Sequence, residues 1–318
     1  MDATPSFDLP PDADPGLPED PPSPMRFRGR TFTWGSRTYL MGIVNVTPDS
    51  FSGDGILAPA ARDLGRGADT DEAFRAAVAQ GVAMAAAGAD MLDVGGESSR
   101  PGHEPVPEAE EVRRVLPVVR ALREALPDMP ISIDTVKPRV AEAALDAGAD
   151  LINDVWGVGK SDAMARVAAE RRVPYIVMHG RAEARYQNLM AEILTDLQRA
   201  IDRAVALGVA WQALIVDPGF GFGKTPAQNL YLMAHLADLR ILGRPVLLGA
   251  SRKSTIGKVL DLPAYERLEG TLATTALAVG AGVDLIRVHD VAANRRAARM
   301  ADAIHRPGTV GPEGWQPA

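Results

Sequence analysis

The chain contains no cysteine among its 318 residues, so disulfide bonds and thiolate metal sites are excluded. Aromatic residues make up only 5%, and no apolar run approaches the roughly 20 residues that a membrane-spanning helix needs. Basic residues are also in the minority, with 34 Lys and Arg against 41 Asp and Glu. This balance argues against bulk attraction to nucleic acid or to an anionic membrane. We expect the reducing cytoplasm as the setting.

Both ends of the sequence have little to bury. Residues 1–25 carry six acids and no base, are dense in Pro, and lack the basic start and apolar core of a signal peptide. They predict a disordered tail. Residues 306–318 have a similar composition and predict a flexible C-terminal tail. We therefore expect one domain over residues 26–305, whose net charge is close to zero.

Short apolar segments recur along this domain, and each stops at a polar residue. The residues at these stops are Asn45, Asp93, Asp134, Asn153, His179, Asp217, Lys253 and Arg287. Ala-rich segments with helical periodicity lie between them, and strands that alternate with helices predict a parallel sheet. Eight such units in this length predict an α/β fold of the (β/α)8 TIM barrel type. An open doubly wound sheet is the alternative, and residues 25–37 predict a short N-terminal β-hairpin at the bottom of the barrel.

The strand ends predict one shared site. All strands of a barrel point the same way, so their carboxyl ends form a single mouth. The eight polar residues would then converge on one cavity. A single polar strand end carries little information, but eight in the same position favour a binding site over eight unrelated loop starts.

Basic and glycine-rich motifs follow several of these strands. Arg and Lys side chains next to hydroxyls occur in "GGESSRPG" (95–102) and "GASRKS" (249–254), and "RVHD" (287–290) adds a guanidinium and an imidazole. Such groups bind anions. "DPGFGFGKT" (217–225) fails the Walker pattern, because Pro218 stands where a Gly is needed, but its glycines would let backbone approach a flat ligand. Together the carboxylates and the basic residues predict a ligand with a flat, N–H-rich head and a phosphorylated tail.

Metal chemistry has a weaker signature. No His, Asp and Glu triple has tight metal spacing, so a hydrolytic metal barrel is not expected. Asn45 beside a diphosphate would be suited to Mg²⁺, which prefers oxygen ligands and shares substrate phosphates.

Six ordered motifs resemble the dihydropteroate synthase family. They are "MGIVNVTPDSFSGDG", "DMLDVGGESSRPG", "ISIDTVKPRVAEAALDAGADLINDV", "DPGFGFGKT", "LLGASRKSTIG" and "RVHDV". The family is a (β/α)8 barrel, usually a homodimer, that joins 4-aminobenzoate to (7,8-dihydropterin-6-yl)methyl diphosphate in folate synthesis. Sulfonamides compete for the aminobenzoate position. The resemblance therefore implies two small-molecule substrates, Mg²⁺ and a second copy of the chain, with no nucleic acid or membrane partner.

The resemblance also implies roles for individual residues. Catalytic roles fall to Asp134, Lys253, Arg287 and His289, and the pterin pocket to Asp134, Asn153, Met178, Asp217, Phe222 and Lys253. The aminobenzoate would lie against Phe51, Ser99, Arg100, Pro101 and Ser254. The diphosphate would be held by Asn45, Ser99, Arg287 and His289, with Asn45 also binding Mg²⁺.

The sequence departs from the family pattern in places. Ser99 stands where the family usually has Thr, and Gly180 stands where a Met commonly follows the His. A pterin-binding methyltransferase barrel would keep the carboxylates but has no need of "SSRPG", "SRKS" or "RVH", so the synthase is favoured. A non-catalytic paralogue that binds pterin and a generic phosphate-binding barrel are the further alternatives.

Overall fold

The computed structural model describes residues 21–46, 70–97, 105–156 and 162–306. Both predicted tails lie mostly or wholly outside these ranges. The first two strands are antiparallel, and the strands that follow are parallel. In chain order the strands are β1 (Met25–Phe27), β2 (Arg30–Phe32), β3 (Tyr39–Asn45), β4 (Met91–Gly95), β5 (Ile131–Asp134), β6 (Leu151–Asp154), β7 (Tyr175–Met178), β8 (Leu214–Asp217), β9 (Leu247–Leu248) and β10 (Leu285–Val288).

Helices separate the parallel strands, as the Ala-rich periodic segments predict. Their bounds are α1 (Thr70–Ala86), α2 (Glu108–Ala125), α3 (Pro138–Asp146), α4 (Ala163–Arg171), α5 (Leu189–Ala206), α6 (Pro226–Ala234), α7 (Ser254–Leu260), α8 (Leu268–Gly280) and α9 (Val291–His305). Short 3-10 helices lie at Trp211–Ala213, Leu236–Leu242 and Ala264–Glu266. In the part of the chain that the structure describes, no helix is both long and apolar enough to cross a membrane.

The eight parallel strands form a nearly closed barrel. Their order is β8, β7, β6, β5, β4, β3, β10 and β9. A single parallel bridge from Val216 to Val246 joins the two ends of this sheet. The prediction of a (β/α)8 barrel is confirmed, and the open doubly wound sheet is wrong.

The hairpin of β1 and β2 closes the bottom of the barrel. Met25, Phe27, Phe32 and Trp34 are buried and form one apolar cluster with interior side chains near the starts of the barrel strands, namely Tyr39, Met41, Met91, Leu151, Ile176, Ile215, Leu247 and Leu285. The ring centroids of Phe32 and Tyr39 lie 4.6 Å apart. The predicted N-terminal hairpin is therefore confirmed, and its role is to seal one end of the core.

Three buried aspartates at strand starts explain the repeated phrases "GADMLD", "GADLIN" and "GVDLIR". Asp90 Oδ2 accepts a hydrogen bond from the amide of Leu40 at 2.9 Å, and Asp150 Oδ2 accepts one from the amide of Ile131 at 2.9 Å. Asp284 Oδ2 accepts one from the amide that precedes β9. Each aspartate thus satisfies a strand-start amide of the neighbouring strand that would otherwise be buried without a partner. These residues hold the bottom of the barrel, on the side opposite to the mouth.

Candidate active site

Strand alternation brings the polar strand ends into the barrel. Successive side chains of a strand point to opposite faces. Met91, Leu151, Ile176, Ile215 and Leu285 point inward, toward the hairpin. The residues two positions later in the same strands point inward as well and lie one layer closer to the mouth: Asp93, Asn153, Met178, Asp217 and Arg287.

A buried ionic network forms the centre of this layer. Arg287 Nε donates to Asp93 Oδ2 at 2.6 Å, and Arg287 Nη2 donates to Asp134 Oδ2 at 2.7 Å. Asn153 Nδ2 donates to Asp93 Oδ2 at 3.0 Å. Because β10 and β5 are not neighbours in the sheet, these contacts cross the barrel interior. They confirm that side chains from four strands converge.

Burial shifts the pKa values of Asp134, Asp217 and Lys253, in and beside this network, toward neutrality. It raises the pKa of Asp134 to about 7, against the opposing charge of Arg287 and with help from Asp93. Burial also raises the pKa of Asp217, which Lys253 opposes. The pKa of Lys253 is lowered to about 8, again mainly by burial. Acids and bases that change charge near neutral pH are typical of functional sites.

The loop after β8 supplies an apolar wall and a carbonyl for Lys253. Lys253 Nζ donates to the carbonyl oxygen of Phe220 at 2.5 Å and lies 4.5 Å from the centre of the Phe222 ring. Phe222 packs with Met178 and Val155, and its ring meets that of Trp156 edge to face at 6.3 Å. Lys253 lies between this wall and the carboxylates of Asp217 and Asp134, so one side of the site is apolar and the other is ionic.

The ends of β9 and β10 are tied together beside this cavity. Ser251 Oγ lies 3.0 Å from His289 Nδ1 and also accepts from the His289 amide at 3.2 Å. If the hydroxyl donates to Nδ1, the imidazole carries its proton on Nε2. Arg252 forms a two-pronged ion pair with Asp290 at 2.6 and 2.9 Å. The Ser251 contact thus orients His289.

For the other predicted site residues, the structure gives a position in the fold but no side-chain contact, or does not describe them. Asn45 ends β3, and its strand partner Gly95 pairs in turn with Asp134, so all three lie at one level of the mouth. Ser254 begins α7 and is exposed. The remaining predicted residues lie outside the described ranges, namely Phe51, Ser99, Arg100 and Pro101.

His179 does not join the cavity, so its predicted convergence with the other strand ends is wrong. The side chain is fully buried, with Nε2 3.3 Å from Asp196 Oδ2 and Nδ1 3.0 Å from Lys224 Nζ. The physical reason is strand alternation, because Ile176 and Met178 point inward and His179 therefore points outward toward α5. Burial lowers the pKa of His179 to about 3, with Lys224 adding to the effect, so the ring is neutral.

Three side chains with contacts in or beside the site were not assigned a role from the sequence. Asp93 was recognised only as a strand end, although its position in "GADMLD" matches that of Asn153 in "GADLIN". Ser251 and Lys224 lie inside recognised motifs, but their partners are 38 and 45 residues away along the chain. No local pattern identifies such contacts.

Comparison with known proteins agrees with this geometry. A family model described as pterin binding enzyme matches residues 41–289. A dihydropteroate synthase from Clostridium beijerinckii is 49% identical over 283 residues, which cover 89% of this chain and 100% of that protein. The chain belongs to the dihydropteroate synthase family. A further relative, named inactive dihydropteroate synthase 2 from Mycobacterium tuberculosis, is 41% identical over 292 residues and is matched over 86% of each chain.

Solved structures of this family have the same architecture. A dihydropteroate synthase from Clostridium difficile, in the presence of pteroic acid, has a TM-score of 0.79 and 45% identity, covering 86% of this chain and 99% of that one. The Yersinia pestis dihydropteroate synthase, in a sulfonamide drug complex, also has a TM-score of 0.79, with 39% identity, covering 89% and 100%.

The residues that could hold a metal in this family member are few. Within the described ranges, no group of three or more His, Asp or Glu side chains is arranged to hold a metal ion. Asn45 offers one amide oxygen at the mouth, and among the described carboxylates of the interior layer Asp93 and Asp134 are paired with Arg287. This donor set fits an ion such as Mg²⁺ that takes most of its ligands from water and substrate phosphates.

Proposed function

We propose that this chain catalyses the dihydropteroate synthase reaction. It would condense (7,8-dihydropterin-6-yl)methyl diphosphate with 4-aminobenzoate to give 7,8-dihydropteroate and diphosphate. The observation that carries this proposal is one interior layer that combines Asp134, Asn153 and Asp217 with Lys253 and Arg287, beside the apolar wall around Phe222.

The pterin head would lie against the acceptor side of this layer. Pterin carries an amino group and ring N–H groups, which require acceptors, and carboxylates accept without donating. Asp217 and Asn153 would accept from these groups, and Lys253 would donate to a ring acceptor. The flat rings would pack on Phe222 and Met178, which already form an apolar surface.

The chemical step would be dissociative. The bond from the exocyclic methylene carbon to the diphosphate oxygen breaks, and its electron pair leaves with the diphosphate. Ionised Asp134 would stabilise the resulting cation, which is conjugated to the pterin. The aminobenzoate nitrogen then attacks the methylene carbon and loses one proton.

Two hydrogen-bond donors would stabilise the departing diphosphate. Arg287 and His289 are proposed to contact its oxygens, and Ser251 would present the Nε2–H of His289 to them. Mg²⁺, when bound with the substrate, would neutralise part of the diphosphate charge, and Asn45 would supply one of its oxygen ligands.

The aminobenzoate side remains a proposal from the family resemblance. Phe51, Ser99, Arg100, Pro101 and Ser254 would frame this substrate, and a sulfonamide would compete for the same position. Residues 47–57 and 98–105, nearly all of them outside the described ranges, are proposed to exclude water from the cation.

The purified chain should be assayed for diphosphate release with Mg²⁺ and the pterin diphosphate, with and without 4-aminobenzoate. We expect release together with dihydropteroate, inhibition by a sulfonamide, and a kcat for the variant Asp134→Asn that is lower by about 100-fold or more. Pterin binding without product in the unmodified chain would refute the proposal. It would favour the non-catalytic paralogue, for which the relative named inactive is a precedent.

We also propose that the enzyme is a homodimer. Leu277 on α8 and Met300 and Ile304 on α9 are large apolar side chains with exposed fractions of 65%, 64% and 62%. Met300 and Ile304 are one helical turn apart, and α8 packs against α9. A second copy of the chain would cover this face. Light scattering should give twice the chain mass, and the variant Leu277→Glu should shift the protein to monomer.

The proposed compartment is the cytoplasm. The absence of cysteine from the sequence suits a reducing environment. Fractionation of cells that express the tagged chain would test this placement.

A further inference from the structure

Lys224 connects the glycine-rich loop after β8 to the loop after β7. Its side chain is buried, and Nζ donates to the carbonyl oxygens of Gly219 at 3.0 Å and Phe222 at 3.1 Å. Nζ also lies 3.0 Å from Nδ1 of His179. Burial lowers the pKa of Lys224 to about 7, and the three acceptors match the three N–H bonds of its protonated form. Lys224 therefore fixes the loop at both ends of the segment 219–222.

His179 anchors this ammonium to the body of the barrel. Its ring is neutral, so Nδ1 accepts from Lys224 and Nε2–H donates to Asp196 on α5 at 3.3 Å. Arg181 holds the same carboxylate through Nη2 at 2.6 Å. Hydrogen bonds thus connect Asp196, on a helix outside the barrel, through His179 to Lys224 and the loop after β8.

Two glycines allow these loops to lie in direct contact. Gly219 has φ +67°, and a Cβ there would overlap the carbonyl oxygen of His179. Gly223 has φ +60°, and a Cβ there would overlap the carbonyl oxygen of Arg181. Both conformations favour glycine. Gly219 and Gly223 therefore serve the contact between the two loops.

The segment that Lys224 holds carries the groups that surround Lys253. The Phe220 carbonyl accepts from Lys253 Nζ, and the Phe222 ring lies beneath it. We propose that Lys224 is a positioning residue for the pterin side of the site, acting through Phe222 and the Phe220 carbonyl on Lys253. This inference rests on the proposed function.

The decisive variant is Lys224→Met, which keeps the length of the side chain and removes the three donors. We expect kcat/KM for the pterin diphosphate to fall by about 100-fold, the effect of a displacement of about 1 Å in a binding group. The KM for 4-aminobenzoate should be unchanged, and the affinity for pteroic acid, measured by calorimetry, should fall. Lys258→Met is the matched control, because Lys258 is exposed on α7, and it should behave like the unmodified chain.

Chemical rescue separates the ammonium from the rest of the side chain. Because the sequence has no cysteine, Lys224→Cys introduces a single thiol. Alkylation with 2-bromoethylamine in denaturant, followed by refolding, restores a side chain of lysine length with an ammonium at its end. We expect pteroic acid affinity to return, whereas alkylation with iodoacetamide should not restore it. The unmodified chain taken through the same cycle controls for refolding.

The outcomes distinguish this inference from the proposed function. If Lys224→Met changes the KM values for both substrates equally, or changes only the melting temperature, Lys224 has a general structural role and the inference is wrong. If Lys224→Met does not fold, His179→Phe provides the test, because it removes one acceptor and keeps a ring. That variant should weaken pteroic acid binding, and unchanged binding would contradict the inference. Failure of the proposed function would appear as absence of product from the unmodified chain.

Discussion

Removal of Arg287 tests the central network most directly. Arg287 pairs with Asp93 and Asp134, whose side chains are 0% and 7% exposed. Loss of one partner from a buried ion pair costs about 3–5 kcal/mol, because a charge is left in a medium of low polarity. Arg287→Met strands two carboxylates and should lower the free energy of unfolding at pH 8.5 by about that amount.

The loss should depend on pH in a defined direction. Arg287 opposes the burial that raises the pKa of Asp134 to about 7, so its removal raises that pKa further above the unfolded value of 3.8. A carboxyl whose pKa is raised in the folded state binds a proton there that the unfolded state releases. The destabilisation is therefore greatest above the folded pKa and decreases as pH falls. Arg287→Met should lose more stability at pH 8.5 than at pH 5.5.

Urea unfolding at both pH values measures these quantities. The control is Arg203→Met, because Arg203 also donates through Nε and Nη2, to the single carboxylate of Asp162, while its side chain is 68% exposed. An exposed pair contributes about 1 kcal/mol or less. The double variant Arg287→Met with Asp134→Asn should recover part of the loss. Equal losses for Arg287→Met and Arg203→Met, or a loss independent of pH, would refute the reasoning.

Three further predictions concern the mouth and the bottom of the barrel. Asp134→Asn should lower kcat by about 100-fold or more, as for removal of one electrostatic group, with an unchanged circular dichroism spectrum; near-normal turnover would contradict the role of the carboxylate. The kcat/KM for the pterin diphosphate should rise as Asp134 ionises near pH 7 and fall as Lys253 loses its proton near pH 8. The pH dependence of kcat/KM reports the pKa values of the free enzyme. A rate profile that is flat from about pH 6 to pH 9 would argue against both groups. Phe32→Ala should lower the free energy of unfolding by about 3–5 kcal/mol and leave kcat of the folded protein unchanged, and a loss of kcat at full stability would show that the bottom cluster is not only structural.

The fold could be predicted from the sequence because each barrel unit repeats a local pattern. An apolar run, a polar stop and a periodic helix are all readable within about 30 residues, as in the segment that contains Asp134, α3 and Asn153. The short length of β9 could not be predicted from the sequence. "VLLGA" predicts a full strand, but only Leu247–Leu248 is paired as one, since pairing on the β8 side is reduced to a single bridge.

The site could be predicted as a set of residues but not as a set of contacts. Arg287 meets Asp93 and Asp134 across 194 and 153 residues of sequence, so these pairs are products of barrel closure. The wrong prediction for His179 could have been avoided from the sequence. Counting by two from the interior residue Ile176 reaches Met178 and passes over His179, which strand alternation therefore directs outward.

The seam between β8 and β9 has a consequence for motion and ligand response. Across it, the strands share only the bridge from Val216 to Val246, so amide hydrogens along this edge should exchange with solvent earlier than those between β3 and β4. Asp217 and Lys253 stand on opposite sides of the same seam. A ligand that contacts both residues would link β8 to β9 at the strand pair that shares only a single bridge. Occupancy of the site would then be visible as slowed exchange along one edge of the sheet, before any product is formed.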